Sequence, residues 1–141
     1  MKLAGWIVAA GLASAAIPCA ARAALTEDTF QIKTAGDLVA LCTADTKDPL
    51  YTAAVNYCHG FVSGAYSAER DHEASVRARP LFCLPSPPPS RSQAIGDFVT
   101  WVKADPTRSD LGPIRGLFEY LLATYPCATP AAKPAHAKPK S

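Results

Sequence analysis

The chain has 141 residues and a formal net charge of +2, but the charge is unevenly placed. Residues 24 to 127 hold nine Lys/Arg against twelve Asp/Glu, and residues 128 to 141 add three Lys and no acid. That balance offers no concentrated basic face and argues against nucleic-acid binding, while roughly a hundred residues between two compositionally distinct ends make one domain with a core small for its surface.

The N-terminus reads Lys2, an apolar run from Leu3 to Ile17, then Ala21-Arg22-Ala23. This is the order of a secretory signal peptide, so residues 1–23 are expected to be removed after Ala23, taking Cys19 with them. The run is rich in Ala and Gly rather than Leu, so no membrane anchor is expected after cleavage. Four cysteines then remain, Cys42, Cys58, Cys83 and Cys127. An even count in a small exported chain predicts two disulfides and an oxidising compartment. The short Ala-rich apolar segment suggests a bacterial export signal, so the expected compartment is the periplasm, with outright secretion as the alternative.

Thr26 to Ile32 is a polar lead-in with one apolar pair, Phe30 and Ile32. Thr34 and Asp37 stand close to a capping box, and Leu38, Val39, Leu41 and Cys42 follow at helical spacing, predicting a first helix near residues 35–43. Asp48-Pro49 opens a central helix, with Asp48 as N-cap and Pro49 at the first helical position. Tyr51, Val55, Cys58 and Val62 recur at helical steps, and the helix is expected to fray near Glu73. Within it, the stretch from Asn56 to Tyr66 is the expected centre of the fold. Gly60 and Gly64 share one face, where missing side chains let another backbone approach closely, and Tyr57 and Phe61 supply apolar bulk around that groove.

Residues 75–89 have no sustained period and close on Pro87-Pro88-Pro89, which favours an extended polyproline conformation. Long ordered loops often carry binding, so Arg77, Arg79, Leu81 and Phe82 are the candidate partner contacts. Ser90 and Gln93 cap a third helix bearing Ile95, Phe98, Val99 and Val102, which Asp105-Pro106 stops. Asp110 is expected to cap a fourth, with Pro113 in its first turn and a broad apolar stripe from Leu111 to Tyr125. The fold class is all-α, a small disulfide-stapled bundle of about four helices. Residues 24–127 form the domain. The Ala/Pro/Lys tail at 128–141 is expected to be disordered, because it lacks the apolar residues that would repay its ordering entropy.

Four cysteines permit three pairings. An antiparallel hairpin of the third and fourth helices brings residues before Ser90 close to residues after Tyr125, which favours Cys83 with Cys127. Cys42 with Cys58 then remains, and the first helix has to cross the central one obliquely.

Little in the chain points to catalysis. Cys58 and His59 are adjacent on a helix and so point about 100 degrees apart, and an oxidised cysteine has no thiolate to offer. Asp71-His72-Glu73 with Glu69 reads as a solvated helix end rather than a ligand set. Phosphate loops, zinc-type cysteine spacing and a serine nucleophile elbow are all lacking. The chain reads as a binder rather than an enzyme, with no catalytic residue, metal or cofactor.

Four segments together carry a resemblance: Leu41-Cys42, Cys58-His59-Gly60-Phe61-Val62-Ser63-Gly64, Phe82-Cys83-Leu84-Pro85 and Tyr125-Pro126-Cys127. In this combination the chain, from about Thr34 to Cys127, resembles the Rap/Tai family of type VI secretion amidase immunity proteins. The resemblance implies a small periplasmic helical protein, a homodimer, that occludes a peptidoglycan-cleaving amidase delivered by another cell. The matched positions are scaffold residues, and those that would plug an amidase lie outside the motif. The exposed loop or helix end from Glu69 to Ser90 is the segment expected to enter the partner's cleft. The alternative is a periplasmic acid-stress chaperone or a structural envelope protein on the same scaffold.

Overall fold

The computed structural model describes residues 24–128, so the expected signal segment at 1–23 and the tail from residue 129 onward lie outside the described residues. Four helices follow in order, α1 (Ala35–Cys42), α2 (Tyr51–Val76), α3 (Arg91–Lys103) and α4 (Pro113–Thr124), with 3-10 turns at Glu27–Gln31 and Pro106–Asp110. The fold is the all-α bundle expected, and its two disulfides pair Cys42 with Cys58 and Cys83 with Cys127. No helix among the described residues is long and apolar enough to cross a membrane.

The shortest helix sits at the centre. Thr34 and Asp37 cap it reciprocally: the Thr34 hydroxyl accepts from the Asp37 amide at 3.1 Å, and the Asp37 carboxylate accepts from the Thr34 amide at 2.9 Å. Eight residues do not hold a helix alone, so the rest of its stability comes from burial. Ala35, Leu38 and Leu41 are fully buried, and α1 touches α2, α3, α4 and both 3-10 turns.

The expected centre, Asn56 to Tyr66, is therefore corrected. Helix α2 buries only Ala54, Cys58 and Glu73, and a Cβ added at Gly60 or Gly64 would meet nothing within 4 Å. Tyr57 is exposed and meets the Phe30 ring edge-on, and Phe61 packs against the core only in part. The close approach occurs instead at Gly116 of α4, where a Cβ would stand 2.9 Å from that of Ala35. Two helices can meet at that distance only because one of them lacks a side chain.

Three boundaries also move, each for a local reason. Asp48 folds back as a turn residue rather than capping α2: one carboxylate oxygen accepts from the Leu50 amide at 2.8 Å and the other from the Leu25 amide at 2.9 Å. The helix starts at Tyr51 in consequence. At its far end α2 continues past Glu73 to Val76, because Glu73 faces inward instead of fraying. Asp110 ends a 3-10 turn, and Gly112 precedes α4 with Pro113 in its first turn.

Candidate functional site

The last turn of α2 and the segment after it are built on one buried carboxylate. Glu73 is 6% exposed, and its Oε2 lies 2.8 Å from an Arg70 guanidinium nitrogen. Its Oε1 accepts from the Leu81 amide at 2.6 Å, and its backbone carbonyl accepts from the Ala78 amide at 2.9 Å. A buried carboxylate needs such partners, since burying the charge unpaired is costly. Glu73 thereby closes residues 77–81 into one turn.

The base of that turn is fixed from the other side. Phe82 is 1% exposed, with Tyr66 and Phe118 ring centroids at 6.0 and 6.2 Å and the Arg70 guanidinium 5.7 Å from its own centroid. It pairs with Pro126 in an isolated antiparallel bridge, the Cys83 amide donates to the Tyr125 carbonyl at 2.8 Å, and the second disulfide follows directly. Phe82 was a candidate partner contact; its burial makes it an anchor of the loop instead. Beyond the loop's base the chain passes a cis Ser86–Pro87 peptide on its way to α3.

Arg77, Arg79 and Leu81 stand at the surface, Leu81 at 49% exposed and the neighbouring Val76 at 56%. Arg77 ends α2 with φ 52° and ψ 34°, in the left-handed region that glycine normally fills. Neither Arg77 nor Arg79 forms an ion pair among the described residues, whereas the Glu73 charge is already matched by Arg70. The result is a preformed, positively charged turn flanked by two exposed aliphatic side chains. Such a surface suits a partner with acidic and apolar groups in a concave site.

The remaining candidate chemistry does not assemble. Cys58 is oxidised, and His72 and Asp71 face solvent while Glu73 turns inward. Groups of three or more His, Cys, Asp or Glu side chains able to hold a metal are absent among the described residues. Two groups outside the turn, Asp105 and Tyr120, titrate away from their ordinary ranges. The hydrogen bonds from Thr107 hold the Asp105 carboxyl low. Burial pushes the Tyr120 hydroxyl up, reinforced by the Tyr125 hydroxyl, which lies close without completing a hydrogen bond, and by the charge of Asp97.

Sequence reasoning located the turn but missed Glu73, which it read as a fraying end. The Arg70 to Glu73 spacing of three residues was the available signal, because side chains at that interval share a helix face. A model of the family described as Rap1a immunity proteins matches residues 34–127, a span that contains both disulfides and the whole turn. No curated protein and no solved structure matches the chain.

Proposed function

Because this chain belongs to the Rap1a immunity protein family, and so is an immunity protein that binds a type VI effector, we propose that it neutralises a peptidoglycan-cleaving amidase in the periplasm. It acts by occlusion rather than catalysis. The turn at 77–81 enters the effector's substrate cleft, Arg77 and Arg79 meet acidic groups at its rim, and Leu81 supplies an apolar anchor. The observation that carries this reading is the Glu73 clamp, which holds an exposed, charged turn in a single shape before any partner arrives. Preorganisation of this kind removes part of the ordering cost of binding.

Export follows from the N-terminal segment read as a signal peptide, and the two disulfides fit an oxidising compartment. The proposal includes a homodimer. The α2 face bearing Tyr57, Gly60 and Gly64 is its proposed contact, since it is exposed and leaves open space above both glycines.

The test uses cells that export a type VI amidase effector to their periplasm and lyse in consequence. Co-export of this chain is expected to rescue growth, and the purified chain to abolish peptidoglycan hydrolysis at equimolar ratio. Arg77→Glu with Arg79→Glu should lose both effects while remaining folded. If no amidase of this class is bound or inhibited, the amidase assignment is wrong; if inhibition survives the double charge reversal, the turn is not the contact.

A further inference from the structure

A concavity of about 410 Å³ lies between α2, residues 84–91, α3 and α4. Its walls are mostly apolar, formed by Val62, Tyr66, Leu84, Leu117 and Leu121. Arg91 is the one charged residue that lines it, and Arg91 makes no ion pair among the described residues. The same residue opens α3, where the Ser90 hydroxyl already serves the Gln93 amide at 3.2 Å and the Ser90 carbonyl serves Ala94. The amides of Arg91 and Ser92 have no such acceptor, as expected at a helix start.

Two further lining residues carry hydrogen-bonding capacity that the chain leaves unmet. The Ser63 and Tyr120 hydroxyl oxygens are both shielded from solvent and have no hydrogen-bond partner among the described residues, and Tyr120 as a whole is 2% exposed. Both oxygens lie behind the apolar surface of the cleft, so Arg91 is the polar group of the lining that is offered to a ligand.

The lining selects the class of ligand. Acidic side chains are missing from it, so it offers nothing to a cation, and its apolar walls would strip water from a sugar or nucleotide without replacing the lost hydrogen bonds. An apolar chain with an anionic end satisfies both features, because guanidinium and carboxylate match in geometry as well as charge. We propose that this cleft binds an amphipathic carboxylate, its apolar chain against the Val62, Leu84, Leu117 and Leu121 wall and its carboxylate at Arg91. The cleft volume falls within the range of small-molecule sites.

Sodium decanoate, titrated into the purified chain and followed by amide and methyl NMR shifts, tests this directly. Saturable one-to-one binding is expected, with shifts at Val62, Leu84, Leu117 and Leu121 and at the Arg91 amide. 1-Decanol should bind about tenfold more weakly, and Arg91→Gln should weaken decanoate about tenfold while leaving decanol unchanged. Ala94→Phe, which narrows the cleft without altering charge, should weaken both ligands. Non-saturable shifts spread over the exposed aliphatic residues, equal affinity for decanol and decanoate, or an unchanged decanoate affinity in Arg91→Gln would each overturn the proposal. The Arg91→Gln comparison decides the matter if Ala94→Phe fails to fold, since Arg91 is exposed and unpaired.

Discussion

Glu73 accepts a 2.6 Å hydrogen bond from the backbone amide of Leu81, eight residues further along the chain. Its other oxygen is held by Arg70 at 2.8 Å. The exposed turn at 77–81 is thus tied to the end of α2 by a buried group. Replacing Glu73 with Ala leaves the Leu81 amide without its acceptor and Arg70 without its counter-charge, at a cost of about 3 kcal/mol. The expected result is a lower denaturation midpoint together with loss of hydrogen-exchange protection at Leu81. Glu73→Gln keeps an acceptor but not the ion pair and should lie between the two. Unchanged Leu81 protection in Glu73→Ala would remove the clamp from the account.

Arg77 carries a backbone conformation that costs a side-chain-bearing residue about 1 kcal/mol relative to glycine. Arg77→Gly should therefore stabilise the domain by up to about that amount, read as a raised urea midpoint. The same change removes one of the two unpaired cations of the turn, so effector inhibition should weaken. A variant that gains stability and loses inhibition separates the two roles of this position; one that keeps full inhibition argues that Arg77 is only an awkward helix cap.

Much of this fold could be read without coordinates, and the parts that could not share a cause. Helices α1 and α3 follow from short-range signals: the reciprocal pair Thr34 and Asp37, and the Ser90 hydroxyl on the Gln93 amide. The disulfide pairing followed from the hairpin of α3 and α4. What escaped depends on which face of a helix meets which neighbour. Gly60, Gly64 and Gly116 look alike in sequence, yet only Gly116 has a helix against it, because α1 crosses α4 at Ala35. Phe82 and Leu81 are adjacent apolar residues, one buried and one exposed, and the Pro126 bridge that turns Phe82 inward joins positions far apart in the chain.

The glycine assignment yields opposite signs for the same substitution. Gly116→Ala places a methyl group 2.9 Å from the Ala35 Cβ, an overpacking worth about 1–3 kcal/mol that outweighs the helix-propensity gain of about 1 kcal/mol. Within one chain Gly60→Ala and Gly64→Ala meet open space and should each stabilise the fold of the monomer by up to about 1 kcal/mol. Thermal unfolding of the three variants checks this. A fourth variant, Gly64→Trp, tests the proposed dimer by analytical ultracentrifugation, since its bulk on that face should shift the chain toward monomer.

Tyr120 keeps its proton above the ordinary tyrosine value of 10.0, chiefly because burial penalises the phenolate. Below that value both the folded and unfolded chains hold the proton, so the group adds no pH dependence. As pH rises past it, the unfolded chain releases the proton while the folded chain retains it, and the equilibrium moves toward unfolding. The slope from this one group approaches about 1.4 kcal/mol per pH unit. Denaturant midpoints measured between about pH 9 and about pH 11 should fall more steeply for the native chain than for Tyr120→Phe. At neutral pH that variant should lose little stability or gain some, because the hydroxyl it removes has no hydrogen-bond partner. A marked loss at neutral pH would mean that the hydroxyl is satisfied in solution, and parallel alkaline profiles would mean that Tyr120 is not the group responsible.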